Sequence, residues 1–361
     1  MPETTYIPVN IMRQFMIDVF TKSEVPPADA EICADVLLAS DLRGIESHGV
    51  SRLRLYYDGI KSGRHLPKTE IEVVRETATT AVVDGHNGMG HVIGVNCMQM
   101  AIQKAHQYGL GAVAVRNSSH FGIDGYYALM AVKEDMIGMA FTNARPSVAP
   151  TFSIQAMLGT NPIAFGAPTD EECPFLFDAA TSVTQRGKIE VLTREAQPIP
   201  EGWVVNQYGQ YATDSEQVTK GFLDQTVALL PLGGLGELMG GHKGFGLSVM
   251  VEILCASLQK NAYLYHLPGG AGLPIQIGNF FLAINIEHFI PIDEFKQTTG
   301  EILRELRAAR KAPGAERIYT AGEKEFEMEK LVQKQGIPVT PNLRKDLKIL
   351  QAELDLHQYH F

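Results

Sequence analysis

A chain of 361 residues, 45% hydrophobic and 20% charged, has material for one large or two medium domains with a sizeable core. Its 31 Lys and Arg against 41 Asp and Glu leave a net charge of -10, which argues against nucleic acid or an anionic membrane as main partner while leaving room for a local anion site. Cys33, Cys97, Cys173 and Cys255 form no CxxC pair, and neither a leader-like N-terminus nor a membrane-length apolar run is visible, so a soluble cytoplasmic protein with reduced thiols is expected.

Residues 9–22 (VNIMRQFMIDVFTK) place Ile11, Phe15, Ile17 and Val19 at roughly helical spacing, and Pro26-Pro27 stops the run before a second helix over about 28–42. Next comes SDLRGIESHGVSRLRLYYDGI (40–60), where His48, Arg52 and Tyr56 recur every four residues. A helix there stacks them along one face. Imidazole, guanidinium and phenol in line suggest a site; a polar stripe with one chance histidine explains the spacing equally well.

From about residue 70 the pattern changes to short β-branched runs: IEVVRE, TAVVDG, GLGAVAVRN, MIGMAFTN, NPIAFGAP, FLFDAAT and FFLAINIEHF, with helical segments between several of them. In GAVAVRNSSHFGIDGYYALMAVKED a strand is predicted to end near Arg116 and a helix to start near Gly122. His120 then sits in the loop at a strand's carboxyl end, where α/β proteins place ligand and catalytic groups. The alternative is that Ser118 or Ser119 caps the helix and His120 covers it. The polar stretch 192–222, with the only tryptophan, Trp203, is predicted to be an exposed excursion over a site.

LGGLGELMGGHKGFGLSVMVEILCASL reads as a glycine-rich loop feeding a long apolar helix with Lys243 in its first turn. That arrangement makes either a phosphate site or a closely packed helix entry. Asp293 is predicted to cap the helix DEFKQTTGEILRELRAARKA, and Thr340-Pro341 to open a last amphipathic helix, NLRKDLKILQAELD. A helical head and tail around an α/β middle predict one discontinuous helical domain, 1–72 plus 292–361, carrying an inserted α/β domain, 73–291.

No GxGxxG fingerprint follows a strand, because GMGHVIG and GLGELMG have the wrong spacing, and neither a Walker A loop nor a metal-ligand cluster is visible. The ordered motifs SDLRGIESHGVSRL, RNSSHFG, LGTNPIAFGAP, FLFDAATS, GGHKGFGLSVMVEIL and PGAERIYTAGEKE carry a resemblance to a known group. The chain resembles the malate/L-lactate dehydrogenase family of nicotinamide-dependent oxidoreductases that lack a Rossmann fold, which also contains ureidoglycolate, sulfolactate and diketogulonate enzymes. PGAERIYTAGEKE looks most like the malate dehydrogenase members.

The resemblance implies a mixed α/β fold with a non-Rossmann dinucleotide-binding domain inserted into a helical one. It also implies a homodimer, NAD or NADP as cofactor, and an active site near the domain and subunit boundary. On the matching positions, His48 and His120 correspond to the family's two proposed acid/base histidines, with His120 also beside the cofactor. Arg52 corresponds to the arginine near the substrate, and Ser47 and Tyr56 join it as candidates for holding the acid. Asp178, Ala179 and Ala180 match a cofactor-contacting strand end. Lys243 matches the lysine at the cofactor phosphates or ribose, and Glu316 with Arg317 a third cofactor segment. His242 stands where tyrosine is common and Ala315 interrupts the usual Pro-Gly-Glu, which leaves NAD versus NADP open.

Oxidising a 2-hydroxy acid requires a base tuned near neutrality at the hydroxyl, which suits histidine, and a planar cation at the carboxylate, which suits Arg52. The expected function is hydride transfer between a nicotinamide cofactor and a small 2-hydroxy or 2-keto acid, malate/oxaloacetate first. The alternative is a reductase of a related keto acid or cyclic imine acid. A hydrolase using Ser47 or Ser119 is disfavoured because neither serine lies in a GxSxG elbow, and a non-catalytic dinucleotide sensor because both histidines are present.

Overall fold

The computed structural model of the chain describes residues 4–268 and 272–361. The first part holds β1 (Thr5–Ile7), α1 (Val9–Lys22), α2 (Pro27–Leu42) and α3 (Leu53–Lys61). The middle holds β2 (Glu72–Glu76), β3 (Thr80–Asp84), α4 (Gly90–Tyr108), β4 (Leu110–Ser118), α5 (Asp124–Val132), β5 (Met136–Thr142), β6 (Ile163–Ala167) and β7 (Phe175–Ala179). It continues with α6 (Arg186–Arg194), β8 (Val204–Asn206), α7 (Ser215–Leu223), β9 (Val227–Leu229), α8 (Gly241–Ala256) and β10 (Ile277–Asn285). Then come α9 (Ile292–Ala308), α10 (Glu323–Gln335), β11 (Ile337–Val339) and α11 (Pro341–Leu354).

The main sheet has seven strands in the order β2-β3-β4-β10-β5-β6-β7. Only β3 and β4 run parallel; the other neighbours are antiparallel, so the fold is mixed α/β but not a doubly wound parallel sheet. Alternation along the strands sends Phe281 and Ala140 toward α4 and α5, and Phe280 and Phe141 toward α8 on the opposite face. Two glycines let the helices lie directly on the strands. A Cβ at Gly111 would stand 1.9 Å from the Ala101 carbonyl oxygen of α4, and one at Gly278 1.7 Å from that of Cys255 in α8. The carboxyl ends of β4, β5 and β7 and the amino ends of β6 and β10 fall along one edge of this sheet.

A second core is helical. On α1, Met12, Phe15, Met16, Val19 and Phe20 are buried at helical spacing and pack against α2, α3 and α11. This phase differs from the one read in the sequence, since Ile11 lies on the outer face of α1. β1 pairs antiparallel with β11, Thr5 opposite Val339, which ties residues before α1 to those before α11.

Other expectations need correction. His48, Arg52 and Tyr56 do not share one helix face, because two 3-10 turns, Glu46–His48 and Val50–Arg52, precede α3. Gly49 lies between the turns with ψ -143°, outside helical space, and a Cβ there would overlap the Asp41 carboxyl. The 192–222 stretch is not a bare excursion: Ile189, Ile199, Val204, Val218 and Val227 bury a small core of their own, with Trp203 against it. α9 is entered from Pro291, with Asp293 inside its first turn and no side-chain cap, whereas Thr340 caps α11 by accepting the Leu343 N–H at 3.4 Å. Lys296 and Arg304 on α9 pair with Asp135 and Asp170 beside the sheet, at 2.7 and 2.8 Å.

Candidate active site

At the sheet edge the chain encloses a cavity of about 170 Å³. His48 and Ile45 enter it from the 3-10 turns, His120 to Asp124 from the β4–α5 connection, Thr142 to Ala144 from the end of β5, and Asp178 to Ala180 from the end of β7. Thr160, Pro162, Gln185 and Ile277 complete the wall. Among these lining residues there is no lysine or arginine.

The His48 and His120 rings stack with centroids 5.6 Å apart and planes 21° from parallel. Each ring is fixed through Nδ1. The Ser47 hydroxyl shares a 2.8 Å hydrogen bond with His48 Nδ1, and the Tyr56 hydroxyl lies 2.5 Å from His120 Nδ1. The Gly122 N–H also donates to His120 Nδ1, at 3.4 Å. Burial raises the Tyr56 phenol, so it keeps its proton and donates it. Two donors on Nδ1 assign the remaining proton of neutral His120 to Nε2. Among the described residues neither Nε2 has a protein hydrogen-bond partner, so both nitrogens are left for a ligand.

Withdrawal from water disfavours both imidazolium forms. It lowers His48 to about 4, helped by the nearby Arg52, and pushes His120 well below its ordinary 6.5, helped by His48, His91 and Arg52. Tyr56 is fully buried, with the His91 ring 4.6 Å and the His65 ring 5.8 Å from its own. On the opposite wall Asp178 accepts the Gly125 N–H at 2.7 Å, and burial raises its carboxyl to about 6.

The structure thus brings His48, His120, Asp178, Ala179 and Ala180 to one cavity, with Ser47 and Tyr56 each hydrogen-bonded to one of its histidines. Arg52 donates from Nε to the Ser47 carbonyl at 2.6 Å and lines a second hollow of about 550 Å³ beside Arg54 and Arg64. Lys243 is the third residue of α8, exposed, outside the cavity lining. Its loop is tied to the chain just beyond the cavity wall, where the Leu232 N–H donates to the carbonyl of Thr181, the residue after Ala180, at 2.9 Å. Gly233, Gly234, Gly236 and Gly240 all have positive φ, folding the loop back onto the start of α8. Glu316 and Arg317 are exposed and away from the cavity; Arg317 pairs with Glu327 and Glu323.

Sequence reasoning missed Asp124, Thr142, Asn143 and Thr160 in the lining. Asn143 and Asn161 both donate to the buried Glu252 carboxylate of α8, at 3.2 and 2.8 Å, which fixes the 142–144 wall to that helix. The only signal was an acidic residue within an otherwise apolar helix.

A family model described as malate/L-lactate dehydrogenase matches residues 7–348. The chain belongs to the malate/L-lactate dehydrogenase family. Within this family it is 47% identical over 341 residues to the malate dehydrogenase of Pyrococcus horikoshii, covering 94% of this chain and 93% of that one. It is 38% identical to the L-sulfolactate dehydrogenase of Methanocaldococcus jannaschii over 96% of both chains. The crystal structure of malate dehydrogenase from Entamoeba histolytica superposes with a TM-score of 0.95 at 40% identity, covering 98% of this chain and 99% of that one.

Membership of this dehydrogenase family implies a nicotinamide cofactor, and the residues present fit one. The cavity offers apolar walls at Phe121, Pro162 and Ile277 and an unpartnered buried carboxyl at Asp124. The small side chains of Ala179 and Ala180 leave little bulk at that wall, and the glycine loop ahead of α8 leads into a helix start that no side chain caps.

Proposed function

We propose that the protein is an NAD- or NADP-dependent dehydrogenase of small 2-hydroxy acids, with malate/oxaloacetate the foremost pair. The observation that carries this reading is the stacked histidine pair, each ring held through Nδ1 with Nε2 left toward the cavity. The bound cofactor supplies the hydride donor and acceptor. The protein's own residues do the remaining work.

His120 is the proton carrier. Binding of an anionic acid adds negative charge beside the imidazole and raises its basicity. The imidazolium then directs Nδ1–H to the Tyr56 oxygen and Nε2–H to the keto oxygen, and it releases the Nε2 proton as that oxygen becomes a hydroxyl. In the oxidation direction neutral His120 acts as its Nδ1–H tautomer, with the Tyr56 oxygen turned to accept that N–H, so that Nε2 takes the hydroxyl proton back. His48, steadied by Ser47, orients the acid. Arg52, half-buried next to both histidines, is assigned to the substrate carboxylate by bidentate pairing. Asp178, Ala179 and Ala180 border the nicotinamide end, Lys243 serves the phosphates or ribose, and Glu316 with Arg317 forms an outer cofactor segment.

We assign the exposed apolar side of α8, Leu247, Met250 and Ile253, together with Leu238 and Met239, to a homodimer interface. Four unpaired thiols support a reducing, cytoplasmic setting. The deciding experiment follows reduced nicotinamide absorbance with malate, sulfolactate, lactate and ureidoglycolate, each with NAD and with NADP. Turnover of malate far above the others supports the substrate assignment; no turnover with any acid rejects the dehydrogenase reading.

A further inference from the structure

Asp124 opens α5 in the wall of the histidine cavity and is 3% exposed, yet neither carboxyl oxygen has a hydrogen-bond partner among the described residues. An unpartnered buried carboxyl lowers the stability of the free protein. Capping does not explain it, since the Gly125 N–H of the same first turn goes to Asp178 at 2.7 Å. Pairing does not explain it either, because among the described residues no lysine or arginine lines this cavity. The side chain is therefore placed for something that enters the cavity.

We propose that Asp124 receives the primary carboxamide of the nicotinamide group, its acid O–H on the amide carbonyl and its acid carbonyl accepting the amide N–H. The proposal rests on the dehydrogenase reading and names one contact within it. Two independent features agree with it. Burial and the neighbouring Asp178 both push the Asp124 carboxyl well above its ordinary value, so it keeps the O–H that this pairing requires. The carboxamide is also attached beside the carbon that exchanges hydride, so its partner must stand in the same cavity as the proton-carrying histidine, as Asp124 does. An acid–amide pair discriminates by chemistry: an analogue lacking the N–H leaves one buried oxygen unpaired, and one carrying a carboxylate meets a second acid.

The test titrates the full chain with reduced NAD and NADP, and with the 3-acetylpyridine analogue of each, in which a methyl replaces the amide nitrogen. Binding is read by calorimetry. Wild type should bind the carboxamide form about tenfold or more tighter than the acetyl form. Asp124→Ala and Asp124→Leu should bring that ratio close to one. Asp124→Asn, which forms the same two bonds with an amide, should retain most of the preference. The Tm of the ligand-free Asp124→Leu protein should match or exceed that of wild type, because a buried unpartnered polar group has been removed. An unchanged ratio in Asp124→Ala and Asp124→Leu overturns the proposal, as does a loss confined to the affinity for the acid substrate. If wild type binds none of these dinucleotides, the dehydrogenase reading falls and this contact with it.

Discussion

At His120 the two hydrogen bonds into Nδ1 decide which nitrogen meets a ligand, and burial decides when that nitrogen is charged. Because burial lowers both histidines below 6.5, a base needed in neutral form stays competent to lower pH than free histidine would. For hydroxy-acid oxidation the acid limb of kcat/KM should therefore fall below 6.5, while the limb in kcat moves upward because the bound carboxylate favours the imidazolium. His120→Asn should remove the limb and cut kcat by about 10²- to 10⁴-fold, whereas His48→Asn should raise KM more than it lowers kcat. A limb that survives in His120→Asn and vanishes in His48→Asn reverses the two roles. Arg52→Lys keeps the charge but loses the fork, so KM for the acid should rise steeply with little change in Tm; a large fall in Tm instead makes Arg52 structural. Both histidines and the Asp178 to Ala180 strand end were legible because ordered motifs surround them. Asp124 was not, since an acidic residue at a helix start ordinarily reads as a favourable charge on the helix dipole.

The 3-10 turns that carry His48 depend on a side chain from the preceding helix. Asp41, buried near the end of α2, accepts the Val50 N–H at 2.8 Å, and burial raises its carboxyl to about 8. A folded value above the unfolded 3.8 gives stability fully present below 3.8 and lost as pH rises through about 8. Asp41→Asn keeps an acceptor for Val50 and removes the titration, so its Tm should decline less than that of wild type between acid and mildly alkaline buffer. Parallel pH–Tm curves for the two proteins would falsify this account. The four-residue spacing of His48, Arg52 and Tyr56 misled because period alone cannot register one glycine in extended backbone. The real link between His48 and Tyr56 runs through His120, on another element. Entry to α8 and the Thr340 cap were legible, since glycine runs and Thr-Pro mark helix starts by local chemistry.

Across the whole molecule, the succession of helical, mixed and helical segments was readable from periodicity. The sheet order was not, because pairing between β4 and β10 joins residues far apart in sequence and leaves no local trace. β1 and β11 escaped notice because three residues are too few to display alternation. The exposed apolar side of α8 yields a test at this scale: Met250→Asp combined with Ile253→Asp should convert a dimer to a monomer in light scattering with helical content unchanged. A wild-type monomer at working concentration rejects that interface.

The β1–β11 pairing also sets an order of events during synthesis. Phe15 packs against Tyr359 and Phe361, with ring centroids 5.0 and 4.8 Å away, so the helical core begun by α1 stays incomplete until residues 359–361 have left the ribosome. At roughly 5 to 20 residues per second that wait lasts tens of seconds. Meanwhile the strands that carry His120 and Asp178 can already pair. Tyr56 belongs to this core, made early and completed late, so the two halves of the histidine pair are set against each other only after residues 337–361 have emerged.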